Sequence, residues 1–189
     1  MFDKKTGEDK LVVTIRRVNP IPVDILIFEN LGTPFLVKAI PEEMNYVILN
    51  IRDELPIILT RRFIFSWIRL LLNTTLGIRQ SYIMALIAEY GARIVLSFAD
   101  NSPILGNYQK LHPEVLVLSV QNALRYPYEI RNMQVAPSYY CLGIATRNQF
   151  SIERVPYQRL VVSGSLPLGI YLAENRRDAI QNTFDLVFV

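Results

Sequence analysis

Short apolar runs alternate with stretches of helical spacing along most of the chain. Val23–Phe28 (VDILIF) is a continuous apolar run and reads as a buried strand, followed by the loop Glu29–Pro34. Tyr46–Ile51 (YVILNI) is a second such run, ending at Arg52–Asp53. Pro56 opens a long apolar segment that reaches Leu72 and holds Arg61, Arg62 and Arg69, and a helix is predicted over most of it. Asn73–Gly77 breaks that segment. In Ile78–Tyr90 the residues Tyr82, Ile83, Leu86, Ile87 and Tyr90 share one helical face, and Gly91 stands where a glycine ends a helix. Arg93–Ala99 (RIVLSFA) follows as a third strand.

The pattern then repeats. Asp100–Asn101–Ser102–Pro103 is a polar loop that caps a short helix, with Pro103 near its first turn. Val115–Val120 (VLVLSV) is a fourth strand, closed by Gln121–Asn122. Residues 123–137, rich in Tyr, Pro and Arg, read as a loop. Tyr140–Ala145 is a further strand with a short helix near Arg147–Ile152, Leu160–Ser163 is a strand ending in Gly164–Ser165, and Leu168–Glu174 is a helix. Phe184–Val189 (FDLVFV) is a last apolar run. Residues 1–10 read as a polar tail and Leu11–Arg17 as a short strand stopped by Asn19–Pro20–Ile21–Pro22, while Phe35–Ile40 fits either strand or helix.

Strands that are apolar along their whole length, and that alternate with helices, mark a parallel sheet covered on both faces. The expected fold is α/β: a Rossmann-like three-layer α/β/α domain with a mainly parallel sheet over residues 23–183. Residues 1–22 are its tail and short strand, and 184–189 are an edge strand or the start of something further.

Composition narrows the classes. A chain of 189 residues suits one domain with a real core. With 51% hydrophobic and 20% charged residues it is not disordered, and the high apolar content points to buried parallel strands or to a face covered from outside the chain. A net charge of +3 with no run of five like charges excludes nucleic acid as the expected partner. The lone cysteine, Cys141, permits no intramolecular disulfide and reads as a small core residue, and the lone histidine, His112, reads as a loop residue. No metal site is expected from this inventory. The polar N-terminus lacks the apolar core of a signal peptide. The longest greasy stretch, Phe63–Leu72, is broken by Arg69 and falls short of the roughly 20 residues that span a bilayer, so a cytoplasmic location is expected. Arg61–Leu72 (RRFIFSWIRLLL) fits a helix lying in the membrane interface or one packed on the sheet; apolar residues nearly all round it favour packing. No GxGxxG, GxxxxGK[ST] or GxSxG motif occurs, and no cofactor is implied.

In an open parallel sheet the C-terminal strand ends share one edge, where ligands bind. That edge collects Glu29, then Arg52, Asp53 and Glu54, then Asp100, Asn101 and Ser102, then Gln121, Asn122 and Arg125, then Gly164 and Ser165. Such groups hydrogen-bond sugar hydroxyls or phosphates. The structural alternative is that Asp100–Ser102 is only a helix cap and Gly164–Ser165 only a turn. No residue pair has the pattern of an acid–base dyad, so no catalytic residue is assigned.

The segments F-A-D-N-S-P (98–103), V-Q-N-A-L-R (120–125), Y-Y-C-L-G-I (139–144) and S-G-S-L-P-L-G-I-Y-L (163–172), with V-D-I-L-I-F-E (23–29) and V-I-L-N-I-R (47–52), carry a resemblance by their order and spacing. Together they resemble the N-terminal half of a family of bacterial surface-carbohydrate-biosynthesis proteins of capsule or O-antigen type, covering roughly residues 23–189. The resemblance implies a GT-B-like glycosyltransferase: two Rossmann-like domains across a cleft, the N-terminal one taking a carbohydrate or lipid-linked glycan acceptor and the other the nucleotide-sugar. Asp100, Asn101, Gln121, Asn122, Arg125, Gly164 and Ser165 would then line the cleft. Two departures stand out. Ala123 replaces the family's usual glycine, and the sequence stops at Val189, where the second domain's first strand would begin. Half a cleft cannot both align the acceptor and stabilise the leaving phosphate, so little transfer is expected from this half alone. A stand-alone sugar- or phosphate-binding domain is the alternative.

Overall fold

Burial on both faces singles out Ile25–Phe28 as the centre of the fold, with each of its four side chains at most 3% exposed. The computed structural model describes residues 12–100, 102–133 and 136–175. In chain order the elements are β1 (Val12–Arg16), β2 (Ile25–Phe28), α1 (Thr33–Lys38), β3 (Tyr46–Leu49), β4 (Glu54–Ile58), α2 (Arg61–Asn73), α3 (Ile78–Glu89), β5 (Ile94–Ser97), α4 (Pro103–Leu111), β6 (Leu116–Val120), α5 (Pro127–Asn132), β7 (Ala136–Cys141), α6 (Ile144–Glu153), β8 (Tyr157–Val162) and α7 (Leu166–Glu174).

Six strands form one sheet in the order β3-β2-β5-β6-β7-β8, with every pairing parallel. Ile25 stands beside both Tyr46 and Ile94, and Phe28 beside both Leu49 and Ser97, so β3, β2 and β5 end flush. The chain winds outward from β2 to β3 on one side and from β5 to β8 on the other. The gap between β2 and β5 is therefore the topological switch point of a doubly wound sheet. Alternate side chains serve two layers. Leu26, Phe28, Val95 and Val117 pack with Met84, Leu86 and Ile87 of α3 and Leu105 and Tyr108 of α4. Ser119 stands beside Tyr139, so this layer continues into the cluster of Tyr139 and Cys141 with Ile130 of α5 and Phe150 of α6. On the opposite face Ile27 packs with Leu36 of α1 and with Phe98, and Leu166 of α7 joins from the side. The three-layer α/β/α expectation holds. Burial raises the Cys141 thiol above its ordinary range, in keeping with a core residue.

Several boundaries differ from those predicted. Pro56 does not open a helix; it lies inside β4, which pairs in parallel with β1 in a separate two-stranded sheet. Proline holds the residue before it extended, and a continuous apolar run carries no periodicity to tell strand from helix. The helix starts five residues later, where the Thr60 hydroxyl accepts from the Phe63 N–H at 3.2 Å. The Tyr82 hydroxyl donates to the Pro56 carbonyl (2.8 Å) and accepts from the Ile58 N–H (3.1 Å), which fastens β4 to α3. Phe35–Ile40 resolves into α1 and a turn. Residues 123–137 are not all loop, because Glu129 accepts from the Tyr126 N–H at 2.8 Å and caps α5. The strand placed at Tyr140–Ala145 starts earlier, at Ala136, and Gly143 already leads into α6. Gly91 has φ +59, as the helix stop before β5 requires. The tail 1–10 and the run Phe184–Val189 lie outside the described residues.

The turn from β2 into α1 depends on Gly32. Its φ is +65°, and a Cβ there would stand 2.5 Å from Cδ1 of the buried Phe98 ring. Gly32→Ala is therefore expected to lower the unfolding free energy by about 3 kcal/mol, read by urea titration, from backbone strain plus overpacking.

Candidate functional site

Because the six strands run in one direction, the residues that follow each of them emerge on a single rim. At the switch point Glu29 follows β2 with φ +67°, a left-handed conformation that costs a non-glycine residue on the order of 1 kcal/mol. Its carboxylate is buried and lies 2.7 Å from the Arg52 guanidinium, which reaches over from the end of β3. The Ser97 hydroxyl donates to the Phe28 carbonyl at 3.1 Å and accepts from the Ala99 N–H at 3.0 Å, which locks the ends of β2 and β5 together.

The centre of the rim is a buried polar network around Asp100. Arg125 grips this carboxylate with both arms of its guanidinium, through Nε to Oδ2 at 3.1 Å and through Nη2 to Oδ1. The Tyr139 hydroxyl, from β7 on the far side of β6, donates to Oδ2 as well. Arg125 also donates to Asn122 Oδ1 (2.7 Å) and to Glu129 Oε1 (3.4 Å), and Asn122 Nδ2 donates to the Phe98 carbonyl (2.8 Å). The Asp100 side chain is 0% exposed and that of Arg125 10%. An ion pair this deep survives because its remaining donors and acceptors are also satisfied. Burial, then the Asp100 charge, pushes the Tyr139 hydroxyl far above its ordinary value, so it remains a donor. The hydrogen bond to Asp100 is the largest cause of the rise in Arg125.

The predicted residues thus divide by what they touch. Asp100, Asn122 and Arg125 come together but spend their polar atoms on one another and on Tyr139, Glu129 and the Phe98 carbonyl. Gln121 is buried and ties two strand ends, donating to the Ala123 carbonyl (2.7 Å) and accepting from the Leu142 N–H (2.8 Å). Glu29 joins Arg52 at the switch point and not the Asp100 network. Ser102 is the N-cap residue of α4, yet its side chain makes no capping bond. Asn101 lies outside the described residues. Gly164, at φ +80°, and Ser165, whose hydroxyl accepts from the Leu168 N–H (3.4 Å), line a cleft of about 320 Å³ with Val120, Tyr140, Ser163 and Leu166. A larger cavity, about 590 Å³, lies between α2, α3 and the end of α4 beside Arg69 and His112, and none of the residues predicted for the rim lines it.

Three tyrosines were missed. Tyr139 sits in an apolar strand run that concealed its buried hydroxyl. Tyr126 and Tyr128, 68% and 61% exposed, flank the network with their rings stacked at 5.9 Å and 10°. Their signal was the Y-P-Y beside Arg125, within a segment read as loop. Among the described residues no group of three His, Cys, Asp or Glu side chains is placed to hold a metal ion, and no helix is long and apolar enough to cross a membrane.

Fold and rim together define a Rossmann-like α/β domain whose C-terminal rim carries the ion-paired carboxylates Glu29, Asp100 and Glu129, a small cleft and an aromatic pair. No protein-family model, curated protein or solved structure matches the chain.

Asp100→Ala leaves Arg125 buried without its partner and is expected to cost about 3–5 kcal/mol of stability by denaturant titration. Tyr139→Phe, which removes one donor, is expected to cost about 1–2 kcal/mol. Stability should also fall as pH rises past the ordinary tyrosine value of 10.0, because the unfolded chain releases protons that Tyr139 and Tyr108 keep when folded. Tyr139→Phe should make that alkaline decline shallower.

Proposed function

We propose that this chain is the acceptor-side domain of a GT-B-like glycosyltransferase of surface-polysaccharide synthesis. It holds a carbohydrate or lipid-linked glycan acceptor against the C-terminal rim, and a second domain holds the nucleotide-sugar. The observation that carries the reading is the gathering on one rim of polar groups from positions 29 to 165, in the order of the motifs that resemble the family. The buried Asp100–Arg125 pair fixes the loop after β6 and so presents Tyr126 and Tyr128 beside the rim. Exposed tyrosine rings offer an apolar face and a hydroxyl to a pyranose. Ser163, Gly164 and Ser165, at the start of the nine-residue α7, offer hydroxyls and backbone N–H groups to a sugar or phosphate oxygen.

A second reading, a non-catalytic sugar- or phosphate-binding domain, has one observation in its favour. Glu29 and Asp100, the carboxylates at the β2 and β5 ends, are engaged by Arg52 and Arg125, and neither is placed as a free general base.

Saturation-transfer NMR with free hexoses, N-acetylhexosamines and inorganic phosphate tests the rim. Sugar signals are expected, and Tyr126→Ala/Tyr128→Ala should weaken them by about fivefold or more without loss of fold. Absence of any sugar signal would overturn both readings as sugar binders. Incubation with UDP-sugars and a glycan acceptor separates the two roles: the isolated chain is expected to turn over neither, and robust transfer would refute the assignment of only the acceptor side to it.

A further inference from the structure

Helix α2 has two apolar faces, and only one of them is used. Phe63, Trp67 and Leu70 pack into the cluster with α3, where the Trp67 indole donates to Ser81 Oγ at 3.2 Å and both Phe63 and Trp67 meet the Tyr82 ring edge-on at 5.2 Å. The other face presents Ile64, Phe65, Ile68 and Leu72 to solvent, with Phe65 71% and Leu72 77% exposed. Arg61, Arg62 and Arg69 are exposed on that same side. At 100° per residue these seven positions fall within an arc of roughly 160°.

The surroundings extend the pattern. The Thr60 hydroxyl donates to Asn19 Oδ1, which sets the loop after β1 beside the start of α2. That loop exposes Arg17, Val18 and Ile21. Segments 12–22 and 59–79 contain six arginines (16, 17, 61, 62, 69 and 79) and no acidic residue. Glu54 meets Arg16 at 3.8 Å and Glu89 meets Arg62 at 3.3 Å, both from neighbouring elements.

We propose that this face of α2, with the loop after β1, docks on an anionic lipid bilayer surface, α2 lying in the plane of the interface. Phe65, Ile68 and Leu72 enter the boundary between headgroups and acyl chains, and Arg61 and Arg69 meet lipid phosphates. Charge decides against a second copy of the chain. A two-fold contact through this face would set its arginines against their own copies with no carboxylate on the face to answer them. The inference rests on α2 and the loop after β1, and stands whether or not the rim binds a sugar.

Co-sedimentation of the whole chain with vesicles of phosphatidylcholine containing about 30% phosphatidylglycerol tests it, against vesicles of phosphatidylcholine alone. Binding to the anionic vesicles at low salt, weakened by high salt, is expected, with little binding to the neutral ones. Arg61→Glu/Arg69→Glu and Phe65→Ser/Leu72→Ser should each lower the partition coefficient by more than about tenfold. The melting temperature and the emission of the inward-facing Trp67 should stay unchanged, since all four positions are exposed. The proposal is overturned by absence of binding at low salt or by binding that survives both double variants. A dimer in light scattering that Phe65→Ser/Leu72→Ser dissociates would overturn it equally, as would capture of an acidic peptide by a chain that ignores the vesicles.

Discussion

Everything in this fold follows from the parallel, flush pairing of β2 with β3 on one side and β5 on the other. A strand with neighbours on both edges and helices on both faces has no exposure left, and its four side chains are accordingly all apolar and buried. Parallel neighbours require a crossover between each pair. The crossovers supply α1 on one face and α3 and α4 on the other, so direction, layering and the position of the switch point share one cause. The rim exists because six strands stop on the same side.

On that rim the strongest electrostatic feature is turned inward. Asp100, Arg125, Tyr139, Asn122 and Glu129 satisfy one another across β5, β7 and the segment after β6. A buried ion pair contributes little net stability once desolvation is counted, but it penalises any arrangement that separates its members. Its effect here is geometric: it holds the 121–129 segment against the end of β5 and lets the stacked tyrosines stand outward from a fixed base. The groups that specify the rim's shape are thus different from those a ligand would meet.

The small sheet of β1 and β4 extends the domain beyond the six-stranded core. Through Tyr82 and the Thr60–Asn19 contact it is fastened to α2 and α3, and it carries the exposed apolar and basic residues of the N-terminal strand to the same region as the outer face of α2. A helix with one face in the core and the other occupied by arginines and aliphatic side chains explains how a segment can look apolar nearly all round and still be only half packed.

The sequence by itself determined the layer order, the direction of the main strands and the strand ends that share an edge, because buried parallel strands are continuous apolar runs and helices repeat every 3.6 residues. It also placed Asp100, Asn122 and Arg125 on one edge, since each follows a strand of the same sheet; that they bond to one another came from the structure. It did not show that Pro56 belongs to a strand, that α5 lies within a tyrosine-rich segment, or that Gln121 is a clamp. Those depend on partners distant in sequence: β1 for Pro56, Glu129 for the α5 cap, and the Leu142 backbone for Gln121. Only tertiary structure decided which polar atoms are spent inside and which face of α2 is left open. Periodicity assigns a residue to a face, whereas what covers that face depends on where the other elements pack.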